Sequence, residues 1–175
     1  MNKSHVLDMA KFQRGYLSML VDDIPDNRLA EQPGGAGGVG GVKNHPAWQI
    51  GHLAWAFDGI GAAVGGSSPV LDPSWKERFG QGSNPTSHRA TYPSKAELLK
   101  AYDERRHALA RAFESAGPEA LARPNPVEAL AKIGLSTLGH LALFGLLTHE
   151  ATHLGQLATW RSAAGLVPAL SKLGG

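Results

Sequence analysis

The chain has 175 residues, 42% hydrophobic and 18% charged, with a formal net charge of +2. That length and composition describe one folded domain, residues 1–175, with a substantial core, and exclude a disordered chain. No basic run with interleaved aromatics argues for nucleic acid, and the lack of cysteine excludes disulfides, thiolate metal ligands and a cysteine nucleophile.

Ser4 is placed to cap a first helix that runs to about Asp23, with Met9, Phe12, Tyr16, Leu20 and Ile24 as its apolar stripe. Pro25 ends it. A glycine-rich stretch from Pro33 to Gly41 precedes a second helix, which starts near Asn44 with Pro46 in its first turn and reaches about Val64. From Gly66 to Pro93 no period is evident, so the segment reads as a long connection with one helical turn near Trp75–Phe79. Ser94-Lys95-Ala96-Glu97 spells a capping box. It opens a third helix bearing Leu98, Tyr102, Leu109 and Phe113, stopped by Gly117-Pro118. Ser136 or Thr137 starts the longest helix, which extends to about Ala164, with a left-handed cap at Gly165 and Pro168 just beyond. Nothing reads as a strand. The expected architecture is all-α, a four-helix bundle with a long connection between helices 2 and 3. No apolar run approaches the roughly 20 residues of a membrane span, and no leader pattern opens the chain. A cytoplasmic protein without a membrane partner is the expectation.

His149-Glu150-Ala151-Thr152-His153 sets two histidines on one helix face, with Cβ atoms roughly 5–6 Å apart. That separation lets both imidazoles share one metal ion at about 2.0–2.1 Å each. Their stripe, Ala142, Gly145, Leu146, His149, His153, Gln156 and Trp160, is apolar except for two imidazoles and an amide. The second helix repeats the pattern with His45, Trp48, His52, Trp55 and Gly59. A buried imidazole needs a hydrogen-bond partner or a metal. A lone one is ordinarily a satisfied core histidine; a pair with a third on a neighbouring stripe points to a metal. Three histidines with an open position are the pattern of catalytic zinc.

The same string spells H-E-x-x-H, the signature of zinc peptidases. No His, Asp or Glu follows His153, and Gln156 and Thr159 stand where the extended pattern has its glycine and third histidine. Glu150 lies about 100° around the helix from His149. It reads as a solvated carboxylate or one behind the ligands, and only as a weak candidate for a catalytic group.

The stretch Asn44-His45-Pro46-Ala47-Trp48-Gln49-Ile50-Gly51-His52-Leu53-Ala54-Trp55, taken with His149 to Leu157, resembles the DinB/YfiT superfamily of metal-binding four-helix bundles. Tyr92-Pro93-Ser94 and Arg161 to Gly165 support the resemblance, which spans nearly the whole chain in helix order and spacing. The resemblance implies a metal triad of His52, His149 and His153. His45 is the rival on the second helix, and the family pattern of Trp, three residues, then His favours His52 after Trp48. It also implies a divalent ion, zinc or nickel foremost. Characterised relatives include transferases and isomerases that use low-molecular-weight thiols such as bacillithiol or mycothiol.

Three neutral imidazoles leave such an ion its full charge and an exchangeable position, so it lowers the pKa of a bound thiol or water. The expected function is a metal-dependent transferase that uses a thiol cosubstrate on a small-molecule substrate. A metal-dependent hydrolase and a non-catalytic metal-binding stress-response module are the alternatives. Whether two bundles pair as a homodimer is left open.

Other signals are weaker. Gly35-Ala36-Gly37-Gly38-Val39-Gly40 spells G-x-G-x-x-G, but no strand precedes it, so it reads as a flexible loop rather than a dinucleotide site. His140 is expected to face away from the pair, His88 and His107 to be exposed, and His5 to sit in the first turn of its helix. Trp75, Arg78 and Phe79 are expected to pack onto the bundle or to line a pocket mouth.

Overall fold

Asn2, not Ser4, caps the first helix: its Oδ1 accepts from the Ser4 backbone N–H at 3.0 Å. A computed structural model describes residues 2–34 and 41–173, so the G-x-G-x-x-G string at 35–40 lies outside the described residues. Helix α1, Lys3–Val21, buries Val6, Ala10, Gln13, Leu17, Leu20 and Val21. The stripe expected through Met9 and Phe12 is not the buried one, since these residues are 53% and 62% exposed. A helix buries one stripe roughly 100° wide. The buried stripe is the neighbouring one, and its one polar side chain is tied down there: Gln13 Nε2 donates to the Leu147 carbonyl at 3.0 Å.

Helix α2, Pro46–Gly65, is buried nearly all round and forms the axis of the fold. The His45 ring nitrogen Nδ1 accepts from the Trp48 N–H at its start, Pro46 occupies the first turn, and left-handed Gly66 ends it at φ 68°. A short helix α3, Ser74–Phe79, forms where the sequence predicts a helical turn. The chain between α2 and α3 is anchored by buried Asp58, whose Oδ2 accepts from the backbone N–H groups of Val70 and Leu71.

Helix α4, Lys95–Ser115, opens with the full Ser94–Glu97 capping box and buries Leu98, Tyr102, Leu109 and Phe113 as expected, with Arg106 among them. It packs along α2. A Cβ on Gly61 would stand 3.3 Å from the Leu109 backbone, so the glycine permits this approach. Two short helices not anticipated from periodicity follow, α5 at Pro118–Ala122 and α6 at Glu128–Lys132.

The last long helix is compound. Thr137 caps α7, Leu138–Leu143; a π-helical stretch, Phe144–His149, continues it; and α8, Glu150–Ala163, completes it. Gly165 takes the expected left-handed conformation at φ 72°. Arg161, almost fully buried, donates to the Leu20 and Val167 carbonyls and to Asp23, fastening α8 to the end of α1. The regular secondary structure among the described residues is thus all helical, with one isolated bridge between Pro124 and Thr137. No helix among them is long and apolar enough to cross a membrane.

Candidate metal centre

Two histidines owe their orientation to partners on the far side of each ring. His52 stacks on Trp48, with ring centroids 4.7 Å apart, and its Nδ1 lies 2.6 Å from the Phe79 carbonyl oxygen. A carbonyl only accepts, so Nδ1 carries the proton and Nε2 presents a bare lone pair. The Phe79 ring lies over Gly51, where any Cβ would overlap it. His153 is held in the same tautomer by Gln49, whose Oε1 accepts from Nδ1. Gln49 is itself fixed, because its Nε2 donates to Gln156 Oε1 at 2.9 Å and to the Asn44 carbonyl.

The bare nitrogens converge. His52 Nε2 and His153 Nε2 each stand 3.2 Å from His149 Nε2. His149 Nε2 carries at most one hydrogen, so one of the two contacts sets lone pair against lone pair unless a cation lies between. Tetrahedral ligation at about 2.05 Å would space the nitrogens about 3.3 Å apart. The donor set therefore fits a divalent metal ion. His52, His149 and His153 form the one such cluster among the described residues.

Burial pushes the His149 imidazole down to about 4 and that of His153 to about 3, with the neighbouring imidazoles adding to the effect. Burial lowers His52 as well, against the Phe79 carbonyl, which raises it. All three rings are neutral at pH 7, the form that ligates a metal.

The π-helical stretch ends on His149. Such a stretch advances the chain by one extra residue relative to an α-turn. His149 here faces α2, while Glu150, the next residue, is fully buried on another side of the helix. Glu150 is therefore not the solvated carboxylate the helical spacing allowed. Its Oε1 accepts from Arg106 Nε at 2.8 Å and from the Tyr102 hydroxyl. Burial pushes the carboxyl up while Arg106 and Tyr102 oppose that shift. Arg106 also donates to the Ala10 carbonyl, so the group binds α8, α4 and α1 together behind the histidines.

His45 lies outside the cluster. It is fully buried as the α2 cap, with its ring edge against Tyr92 at 4.7 Å. His88 and His107 are exposed as expected, and so are His5, in the first turn of α1, and His140. Phe79 is fully buried and Trp75 packs on it at 4.9 Å, so these residues pack rather than line the cavity mouth.

Beside the histidines lies a cavity of about 750 Å³. His52 and His149 are in its wall, with Trp48, Trp55 and Ile60 of α2, Leu141 and Phe144 of the last helix, Val127 and Leu130 around α6, and Gln81 to Ser83. Spacing alone did not reveal Gln49, the Phe79 carbonyl or the α6 wall. A polar amide on an otherwise apolar buried helix was the one local signal for Gln49; a backbone carbonyl leaves none.

The chain matches no curated protein. A family model described as the DinB superfamily matches residues 9–157, a span that holds all three clustered histidines. The chain belongs to the DinB superfamily.

Proposed function

We propose that the protein is a metal-dependent transferase in which a low-molecular-weight thiol, activated at His52, His149 and His153, attacks an electrophilic small molecule. The observation that supports this most is the convergence of three Nε2 atoms, two of them on histidines in the wall of a largely apolar cavity. The three imidazoles would hold zinc or nickel, and a divalent ion there supplies the positive charge that makes a thiol acidic near neutral pH. Gln49 and the Phe79 carbonyl keep the Nε2 atoms bare and aimed. Trp48, Trp55 and Phe144 provide an apolar wall that keeps water from the electrophile. In the transfer the sulfur bonds to the electrophilic carbon, the leaving group departs with the bonding pair, and the thiol proton passes to solvent.

Either nucleophile could lose its proton to solvent on a divalent ion, but water, far less acidic than a thiol, depends more on a nearby proton acceptor. No carboxylate lines the cavity among the described residues, and that of Glu150 is bound to Arg106 and Tyr102. A nucleophile brought in by a cosubstrate suits this lining better. The test has two stages. Purified protein should hold about one equivalent of divalent metal, and His52→Ala and His149→Ala should lose it. Wild type should then conjugate chlorodinitrobenzene with a thiol in a metal-dependent manner. Metal-free wild-type protein would sink the site; a full panel of thiols without turnover would leave a metal-binding module.

A further inference from the structure

The lining of the cavity specifies the charge of what it takes. Apart from His52 and His149, no described residue in its wall is ionisable: no Lys, Arg, Asp or Glu faces it. The wall is built from Trp48, Trp55, Ile60, Leu141, Phe144 and Leu130, with Asn44, Gln81 and Ser83 as its neutral polar groups. The Trp48 indole N–H is already committed to Ser83 Oγ at 2.8 Å. The space exists because α2 turns small residues, Ala56, Gly59 and Ala63, towards it. A volume of about 750 Å³ falls within the roughly 300–1,000 Å³ of small-molecule sites.

We propose that the acceptor substrate is an uncharged, predominantly apolar electrophile, and that dianionic substrates such as dicarboxylates are excluded. This deepens the thiol-transfer reading and rests on it for the reaction, though not for the binding. The physical ground is desolvation. An ionised carboxylate moved out of water without a partner loses its hydration and gains nothing to replace it. A divalent ion on the three histidines would offset the thiolate and one further negative charge, and the wall holds nothing for a second charge on the substrate. A neutral ring loses no such hydration and gains apolar contact with two indoles and a phenyl ring.

The test uses metal-free full-length protein, so it reads the lining alone, with no thiol and no turnover. The probes are N-phenyl-1-naphthylamine, which is neutral, and 1-anilinonaphthalene-8-sulfonate, an anion of similar shape, both followed by fluorescence. The neutral probe should bind at least tenfold more tightly. Gly59→Leu fills the cavity from a position whose Cβ meets no atom within 4 Å. It should weaken the neutral probe at least tenfold while zinc uptake stays stoichiometric. Val127→Arg, at a cavity residue that is 41% exposed, should bring the sulfonate to within about threefold of the neutral probe without unfolding the chain. Equal affinity for the two probes in wild type, absence of neutral-probe binding, or indifference to both substitutions would overturn the proposal. None of these outcomes depends on whether the metal site turns over a thiol.

Discussion

Gln49 should influence how tightly the cluster holds a divalent ion, although it offers no ligand atom of its own. It is fully buried, and it alone fixes the His153 tautomer. Gln49→Leu keeps the volume but lets Nδ1 lose its acceptor, which should lower zinc affinity about 10- to 100-fold. Competition against a chromophoric chelator reads this directly, and an unchanged affinity would mean that the ring is held by packing alone. Glu150 makes the opposite prediction. Glu150→Gln leaves Arg106 as a buried charge without a counter-ion, which should cost about 3–5 kcal/mol of stability. The folded fraction should still bind one equivalent of zinc, because Oε1 faces Arg106 and Tyr102 rather than the cavity. Loss of zinc at unchanged urea midpoint would instead place the carboxylate in the metal site.

Helices were legible where their ends and faces are local. The capping box at Ser94, Pro46 in the first turn of α2 and the left-handed Gly165 each carry their geometry in adjacent residues, and each forms as the sequence predicts. The i, i+4 pair His149 and His153 was legible for the same reason. The face of α1 was not. Two interleaved stripes share Leu20, and the choice between them is made by elements far off in sequence that pack on α1, among them the π-helical stretch whose Leu147 carbonyl, 134 residues away, accepts from Gln13. That choice has a measurable consequence: Leu17→Ala should cost about 2–5 kcal/mol, whereas Phe12→Ala, at an exposed side chain, should stay within about 0.5 kcal/mol. Equal losses in urea denaturation would restore the Met9–Phe12 stripe to the core. The π-helical stretch was equally hidden, since nothing in Phe144-Gly145-Leu146-Leu147-Thr148-His149 marks it locally. Its glycine is pressed by neighbours from other helices: a Cβ on Gly145 would stand 3.0 Å from Ile60 Cδ1 and 3.2 Å from Leu109 Cδ2.

Across the whole molecule, buried neutral imidazoles and a paired carboxylate make the fold sensitive to acid. Burial pushes His45 from 6.5 down to about 4, chiefly by desolvation, and His149 and His153 fall to about 4 and 3. Below pH 6.5 the unfolded chain therefore takes up protons that the folded chain refuses. Stability must then fall as pH drops, by roughly 1.4 kcal/mol per pH unit for each such group, until the folded-state values are reached. Asp23 adds a later stage. Arg161 foremost, and Lys172, hold its carboxyl far below the usual range, so its contribution is present above about pH 3.9 and lost as pH falls further. Metal-free protein should thus lose stability steeply between pH 6.5 and 4, and again below 4. His45→Asn, which keeps a capping side chain at the start of α2, should reduce the first slope by about one proton while leaving the second unchanged. Urea midpoints at pH 7.5, 5.5, 4.5 and 3 for both proteins decide the matter. A wild-type midpoint that stays flat from pH 7.5 to 4.5 would show that the buried imidazoles titrate no differently in the folded and unfolded chain.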